Sequence, residues 1–171
     1  MDEKGVAVDG EMQIVAFKVG REEFGVDVKK VEGVISLVNI TRMPRAPEFV
    51  EGIINLRGHI VAVVDLAARL GIESAERGNT TRIVVVEARE AKVGLIVDSP
   101  EVININREDI EASPTVASSE VSSASIRGVV KLDDRLLILL DVDRVLGDEE
   151  LTDIEEMQEP GTRQDEAGEE E

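Results

Sequence analysis

A segment that occurs twice constrains the fold of this chain more than any other feature of its sequence. The first copy spans residues 49–71 and the second spans residues 128–147, with matching positions 76 residues apart. The matching pairs are Gly52 with Gly128, Leu56 with Leu132, Asp65 with Asp141, and Gly71 with Gly147. Four equal offsets favour duplication of one small unit over the general likeness of any two β-hairpins.

Each copy predicts a β-hairpin followed by a short helix. Arg57-Gly58 forms the turn of the first hairpin, because glycine tolerates the positive φ that a two-residue hairpin loop requires. Asp65 and Asp141 are suited to cap the helices that follow. The second copy carries Asp133-Asp134 at its turn, so the scaffold repeats while the chemistry of the tip differs.

The rest of the chain consists of short β-rich segments with turn signals every 8–12 residues, which is typical of an all-β barrel or sandwich. Single helical turns are expected at Glu48–Glu51, after Pro47, and at Asn106–Ile110. Asp98-Ser99-Pro100 is expected to break a strand. A weaker repeat relates Ile14–Gly25 to Ile83–Gly94.

The doubled unit predicts two small barrels packed side by side. Their expected bounds are roughly 12–75 and 82–147, and each barrel of about 70 residues is too small to bury much surface alone. The barrels should therefore share a hydrophobic core. The candidates for that core are Phe17, Val26, Ile54, Val63, Val85, Leu95, Val130 and Ile138.

The net charge of −18 is unevenly distributed along the chain. Residues 148–171 hold 12 acidic residues against Arg163 alone, whereas the body, residues 12–147, carries a net charge of only −4. We expect residues 1–11 and the acidic tail (residues 148–171) to be disordered, because they hold few apolar residues. No cluster of Lys and Arg supports nucleic-acid binding.

The residue inventory also disfavours catalysis, metal binding and cofactors. The chain has no cysteine, and His59 is its only histidine, so ligands for zinc or iron and a base for a serine nucleophile are scarce. The longest apolar runs are five residues, where a membrane span needs about 20. No signal peptide is recognisable, so we expect a cytoplasmic protein that does not insert into membranes.

The segments FKVGREEFGVDV, TRMPRAPEFVEGIINLRGHIVAVVDL, VGLIVD and IRGVVKLDDRLLILLDVDRVL resemble the CheW-like family of chemotaxis coupling proteins. The resemblance spans about residues 12–147. Its most specific part surrounds the turn; these residues are Pro47, Gly52, Asn55, Leu56, Arg57, Gly58 and Ile60.

This resemblance implies two five-stranded SH3-like barrels around a common core. It implies a non-enzymatic adaptor that couples the hairpin tips of chemoreceptors to the histidine kinase CheA, whose regulatory domain has the same fold. The adaptor would be recruited to membrane receptor arrays through these partners. Receptor binding would fall on Arg57, with Asn55 and Gly58 of the same turn. A receptor groove would use Val31, Val34 and Ile35; Glu32 lies beside Gly33, where the family has a glutamate.

Alternatives remain for both the residues and the function. Arg57 is also explained as a solvated turn residue, and Val31, Val34 and Ile35 as ordinary core. Alternation along a strand requires at least one of Val34 and Ile35 to face the core.

The resemblance also leaves open an adaptor in another taxis or two-component pathway, and a related class of adaptor in which the same domain is fused to a phosphorylatable receiver. A receiver needs roughly 120 further residues, which residues 148–171 cannot supply. A fragment of the kinase is disfavoured by Met1 and the complete repeat. A ligand-binding barrel or an enzyme is disfavoured by the three aromatic residues and the single histidine.

Overall fold

The computed structural model describes residues 10–74, 76–111, 125–146 and 154. The two ends that the sequence predicts to be disordered, residues 1–11 and 148–171, lie outside the described residues except for Gly10, Glu11 and Ile154, and Gly147 also lies outside them. The strands and helices are β1 (Glu11–Val19), β2 (Glu22–Asp27), β3 (Val31–Ser36), β4 (Val50–Leu56), β5 (His59–Asp65), α1 (Leu66–Leu70), β6 (Thr81–Ala88), β7 (Ala91–Asn106), β8 (Ile110–Glu111), β9 (Ile126–Leu132), β10 (Arg135–Leu140) and α2 (Val142–Val145). The described residues contain no helix long and apolar enough to cross a bilayer.

The repeated hairpins and their helix caps form as the sequence predicts. The Asp65 side chain accepts a hydrogen bond from the N–H of Ala68 at 3.5 Å, and Gly71 ends α1 with φ of 75°. In the second copy, Asp141 accepts from the N–H of Asp143 at 3.0 Å. Short polar side chains at these positions satisfy N–H groups that the first helical turn leaves free.

The helical turn expected at Glu48–Glu51 is wrong, because β4 begins at Val50. Val50 pairs with Val64 of β5, and the N–H of Asp65 donates to the carbonyl of Phe49 at 2.9 Å. One turn-type bond does form, from the N–H of Val50 to the carbonyl of Pro47 at 2.9 Å, but it does not continue as a helix because Phe49 and Val50 pair with β5. A 3-10 turn does form at Arg107–Asp109, within the second expected helical segment.

The first barrel consists of β3, β6, the first half of β7, β5 and β4. β3 pairs with β6, β6 with β7, β7 with β5 in parallel, and β5 with β4. Two hydrogen bonds between Thr41 and Ile53, of 2.9 and 2.8 Å, close the ring. Gly52 permits this closure, since a Cβ atom there would lie 2.2 Å from the carbonyl oxygen of Thr41.

The second barrel repeats this arrangement with β1, β2, β10, β9, β8 and the second half of β7. β1 pairs with both β2 and β7, and β10 pairs with β2 in parallel and with β9. β8 closes on β9 through Glu111 and Val129. Gly128 lies against the carbonyl oxygen of Glu111, as Gly52 lies against that of Thr41. The all-β architecture of two SH3-like barrels is confirmed.

Strand pairing does not follow the expected bounds 12–75 and 82–147. The first hairpin of the chain, β1–β2, pairs with strands near the C-terminus, and β6 with the first half of β7 pairs with strands near the N-terminus. The expected break at Asp98–Pro100 is also absent, because β7 continues through it. Ser99 adopts φ of 51°, which turns the strand from one barrel to the other while pairing continues on both sides.

The buried side chains form a central cluster between the barrels and one cluster inside each barrel. Phe17 and Phe24 lie in the central cluster, together with Ile154. Val130 lies inside the second barrel, whereas Ile54 and Val63 lie inside the first. Seven of the eight expected core residues are buried, and the eighth, Ile138, is half-buried against the central cluster.

Candidate docking surface

The β4–β5 turn holds Arg57 in an unusual backbone conformation. Arg57 has φ of 54° and Gly58 has φ of 86°, the pair of positive values that marks a type I′ hairpin turn. Asn followed by Gly is the sequence that such a turn prefers, because Asn tolerates this region better than other side chains do. Arginine at the first position is therefore not explained by the conformation of the turn.

Asn55 fixes this turn from within the strand. Its Oδ1 accepts a hydrogen bond of 2.9 Å from the backbone N–H of Gly58. Leu56 pairs with His59 beside it and packs against the core of the first barrel. The family resemblance placed Asn55 in the binding set, and the structure adds that it positions the Arg57-Gly58 tip.

The Arg57 side chain is available for a partner. The residue is exposed, and within the described part of the chain its guanidinium makes no hydrogen bond or ion pair. Gly58 beside it also faces open space, since no atom lies within 4 Å of a Cβ built there. A guanidinium on a rigid turn can bind a carboxylate or a backbone carbonyl without first ordering a loop.

The other four candidate residues lie on β3, where two are exposed and two are half-buried. Val34 is 46% exposed, and Glu32 is also exposed. Val31 and Ile35 are half-buried, the first against the central cluster and the second against the interior of the first barrel. The requirement that at least one of Val34 and Ile35 faces the core is confirmed, and that residue is Ile35.

Glu32 already has a partner within the protein. Its Oε1 lies 3.4 Å from the Nζ of Lys92 on β7, in an exposed ion pair. Such pairs are weak, so Glu32 can exchange Lys92 for another cation at little cost. Gly33, which follows Glu32, has no atom within 4 Å of a Cβ built at that position.

Val38 completes the exposed side of this region, and the sequence pattern did not single it out. It is 46% exposed and continues the alternation of β3, in which Glu32, Val34 and Ser36 also face outward. The period of two extends through SLV and would have identified it. Leu37 and Leu56 both pack against the interior of the first barrel, so the strand and the turn flank one cluster.

We call this region the docking surface, and we define it by the exposed residues Val34, Val38, Asn55, Arg57 and Gly58. It combines two exposed valines with a cation on a rigid tip. Of the predicted residues, Val31 and Ile35 lie mainly beneath it. Residues 33–64, which contain it, hold three arginines and two glutamates, a net charge of +1 in a chain of −18.

Comparison with known proteins identifies the family. The model of the CheW-like domain matches residues 13–150, which is most of the chain. This chain belongs to the CheW-like domain family. A chemotaxis protein CheW of Rhizobium meliloti is 35% identical over 143 residues, covering 83% of this chain and 92% of the relative.

Two further proteins match this CheW-like chain over a similar part of its length. A chemotaxis protein CheW of Bacillus subtilis is 35% identical over 141 residues, covering 82% of this chain and 89% of the relative. The crystal structure of the scaffolding protein TtCheW from Thermoanaerobacter tengcongensis is 36% identical and superimposes with a TM-score of 0.77. That match covers 88% of this chain and 96% of the other. The CheW-like fold therefore extends over both barrels.

Proposed function

We propose that this CheW-like chain is a chemotaxis coupling protein, a non-enzymatic scaffold that joins methyl-accepting chemoreceptors to the histidine kinase CheA. Family membership supports this role, together with relatives that are named chemotaxis proteins and a structural neighbour described as a scaffolding protein. The chain would work in the cytoplasm and reach receptor arrays through its partners.

One observation carries the receptor-binding part of the proposal. Arg57 occupies a positive-φ position that its side chain does not favour, and it is exposed on the same barrel as the exposed Val34 and Val38. Backbone strain that persists at an exposed tip is characteristic of functional positions. A receptor hairpin would place apolar side chains against Val34 and Val38, and a carboxylate or carbonyl against Arg57.

The second barrel is the candidate contact for the kinase. Leu136 on β10 is 63% exposed and Val102 on β7 is 58% exposed, and neither belongs to the docking surface. The kinase regulatory domain shares the SH3-like fold, so barrel-to-barrel packing would cover such side chains. Separate faces would allow one scaffold to hold both partners together, and receptor conformation would then bias kinase activity.

Binding assays with two charge-matched variants test the receptor contact. A purified receptor cytoplasmic fragment should retain the wild-type chain and lose Arg57→Glu by tenfold or more in affinity. Arg21→Glu is the control, because Arg21 is exposed on the β1–β2 turn of the other barrel and undergoes the same change of charge. Equal binding by wild type and Arg57→Glu would remove Arg57 from the receptor site.

Kinase coupling is tested in a mixture of the chain, CheA and receptor fragments by measuring phosphorylation. Leu136→Glu should reduce kinase binding and leave receptor binding intact, and Arg57→Glu should do the reverse. A chain that leaves phosphorylation unchanged in every combination would exclude the coupling function. A CheW-like scaffold in another two-component pathway would bind a different kinase through the same two faces.

A further inference from the structure

His59 is the only histidine of the chain and lies directly after the β4–β5 turn. It pairs with Leu56 across the hairpin, so only Gly58 separates it from Arg57 along the chain. The residue is exposed, and within the described part of the chain its imidazole makes no hydrogen bond or ion pair. A partner that binds at the turn would therefore meet an imidazole as well as a guanidinium.

The turn keeps His59 close to any group that Arg57 binds. Two residues span at most about 7 Å between Cα atoms, and the hydrogen bond from the N–H of Gly58 to Asn55 holds the turn in its type I′ geometry. An Arg57 side chain that turns toward His59 would hold a carboxylate within about 10 Å of the imidazole, which is about one Debye length at 0.1 M ionic strength. A proton on His59 would therefore strengthen the binding of that carboxylate.

The acidic groups of the hairpin itself lie far from His59. Glu51 and Asp65 are at the opposite end of β4 and β5, and the six residues from His59 to Asp65 span about 20 Å of strand. Arg77 contacts Glu51 at 3.0 and 3.1 Å and lies 3.8 Å from Asp65, and Arg42 also acts on Glu51 electrostatically. These two carboxylates are therefore remote from the turn and already compensated.

The neighbouring strands carry few charges that could act on His59. The charged residues on them are Glu32 on β3, Arg82 and Glu87 on β6, Arg89 and Glu90 on the β6–β7 turn, and Lys92 on β7. Glu32 pairs with Lys92 at 3.4 Å, and Arg82 donates to the backbone carbonyls of residues 79 and 81. Residues 37–41, which close the barrel on β4, carry no charge. Glu90 is an exposed acid at the end of β7 that lies beside β5, so it needs a control of its own.

We propose that His59 is a second cation of the receptor contact and makes the affinity for a carboxylate-bearing receptor tip increase as pH falls from 8 to 6. This role rests on the proposed receptor-binding function of Arg57. Histidine is the side chain whose unperturbed charge changes between pH 5 and 8. The chain has one histidine and no cysteine, so a pH dependence that its side chains produce in this range comes from position 59.

The coupling between the proton and the receptor is reciprocal. Arg57 and a protonated His59 repel each other, and a bound carboxylate removes that repulsion. Formation of the complex should therefore take up protons near pH 6.5. A gain of two- to fivefold in affinity between pH 8 and pH 6 corresponds to an uptake of about 0.2–0.4 proton per complex at the midpoint.

Titration of a purified receptor cytoplasmic fragment at pH 6.0 and pH 8.0, in about 50 mM NaCl, tests this role. Wild type should gain two- to fivefold more affinity at pH 6.0 than His59→Gln does, and this comparison removes any pH dependence of the fragment itself. His59→Lys should bind at pH 8.0 about as tightly as wild type binds at pH 6.0. These differences should shrink at about 500 mM NaCl because salt screens them. Calorimetry in two buffers of different ionisation enthalpy measures the proton uptake, which His59→Gln should lose.

Two control variants separate His59 from its surroundings. Gln13→His in the His59→Gln chain moves the single histidine to an exposed position on β1 in the other barrel, and it should not restore the pH dependence. Glu90→Gln should keep the pH dependence of wild type. Restoration by Gln13→His, or loss of the pH dependence in Glu90→Gln, would contradict the role of His59 at the turn.

The outcome for wild type separates this role from the receptor function. A wild-type chain that binds the fragment with the same pH dependence and proton uptake as His59→Gln would overturn the role of His59 alone. A wild-type chain that does not bind at either pH would contradict the receptor-binding function and the role of His59 with it.

Discussion

The Nζ of Lys30 lies 2.9 Å from the Oδ2 of Asp143 and joins parts of the chain that are 113 residues apart. Lys30 belongs to the 3-10 turn that carries the chain from β2 to β3, and Asp143 lies on α2. The other oxygen of Asp143, Oδ1, accepts from the backbone N–H of Arg89 on the β6–β7 turn at 2.9 Å. One carboxylate thus connects α2 of the second barrel with two elements next to the first.

This connection predicts a pH-dependent contribution to stability. Burial alone would raise the pKa of Asp143, but hydrogen bonds from Lys30 and Arg89 outweigh it and lower that pKa. The stabilisation is complete above the unfolded-state value of about 3.9 and is lost as pH falls through the lower folded-state value. In Lys30, the hydrogen bond to Asp143 outweighs the opposing effect of burial and raises the pKa of the ammonium group. The stabilisation by Lys30 is therefore lost only as pH rises through the raised pKa of Lys30 in the folded protein.

Asp143→Asn should cost about 0.5–1 kcal/mol in free energy of unfolding near neutral pH, since the pair is partly exposed. Urea unfolding at pH 7 and pH 3 measures the free energy of unfolding of both proteins. The difference between Asp143→Asn and wild type should be smaller at pH 3. Asp133→Asn, at an exposed turn, is the control and should change neither value. An equal cost of Asp143→Asn at both pH values would contradict a role for the charge.

Gly52→Ala should destabilise the chain by about 3 kcal/mol or more, because the new methyl group meets backbone that cannot move aside. Its Cβ would lie 2.2 Å from the Thr41 oxygen and 2.7 Å from Cγ2 of Ile40. Gly33→Ala is the matched control and should change stability by less than about 0.5 kcal/mol, since no atom lies within 4 Å. Similar urea midpoints for the two variants would argue against the closure of the barrel at Thr41.

Arg57→Asn should separate stability from binding. Asparagine suits the positive φ of this position, so the variant should gain up to about 1 kcal/mol in free energy of unfolding. It should also lose receptor affinity with the guanidinium. Arg57→Lys keeps the charge without the planar fork and should fall between the two in affinity, with stability near that of wild type. Thermal unfolding and titration of a receptor fragment measure both quantities; full affinity in Arg57→Asn would refute the role.

Asn55→Ala should loosen the turn by removing the acceptor of the Gly58 N–H. A single hydrogen bond of this kind contributes about 0.5–1.5 kcal/mol. Receptor dissociation should become faster, because Arg57 would lose its fixed position, but the effect should remain smaller than that of Arg57→Glu. Asn55→Asp retains the acceptor and should keep the stability of wild type. If Asn55→Ala leaves both stability and dissociation rate unchanged, the turn does not depend on this bond.

The sequence predicted those parts of the fold that local chemistry determines. The Arg57-Gly58 turn, the Asp65 and Asp141 caps and the repeat with its offset of 76 all depend on residues that are near one another in the chain. The positions of the core residues followed in the same way from alternation along the strands. These features needed no knowledge of which strand pairs with which.

The same local signals could not predict which distant strands pair with each other. Ile138 pairs with Phe24 across 114 residues, and nothing local distinguishes this pairing from one within the second half of the chain. The bend at Ser99 looked like a strand end because polar residues and proline surround it. The supporting role of Asn55 depends on one hydrogen bond between its side chain and the backbone of Gly58, which the sequence pattern does not show.

Because β7 runs through both barrels, neither half of the chain contains a complete barrel. A cut between residues 75 and 82 would leave each fragment with one hairpin that belongs to the barrel of the other fragment, so the two fragments would have to associate before either barrel could fold. Any deletion that removes one half of the chain is therefore expected to disrupt both barrels.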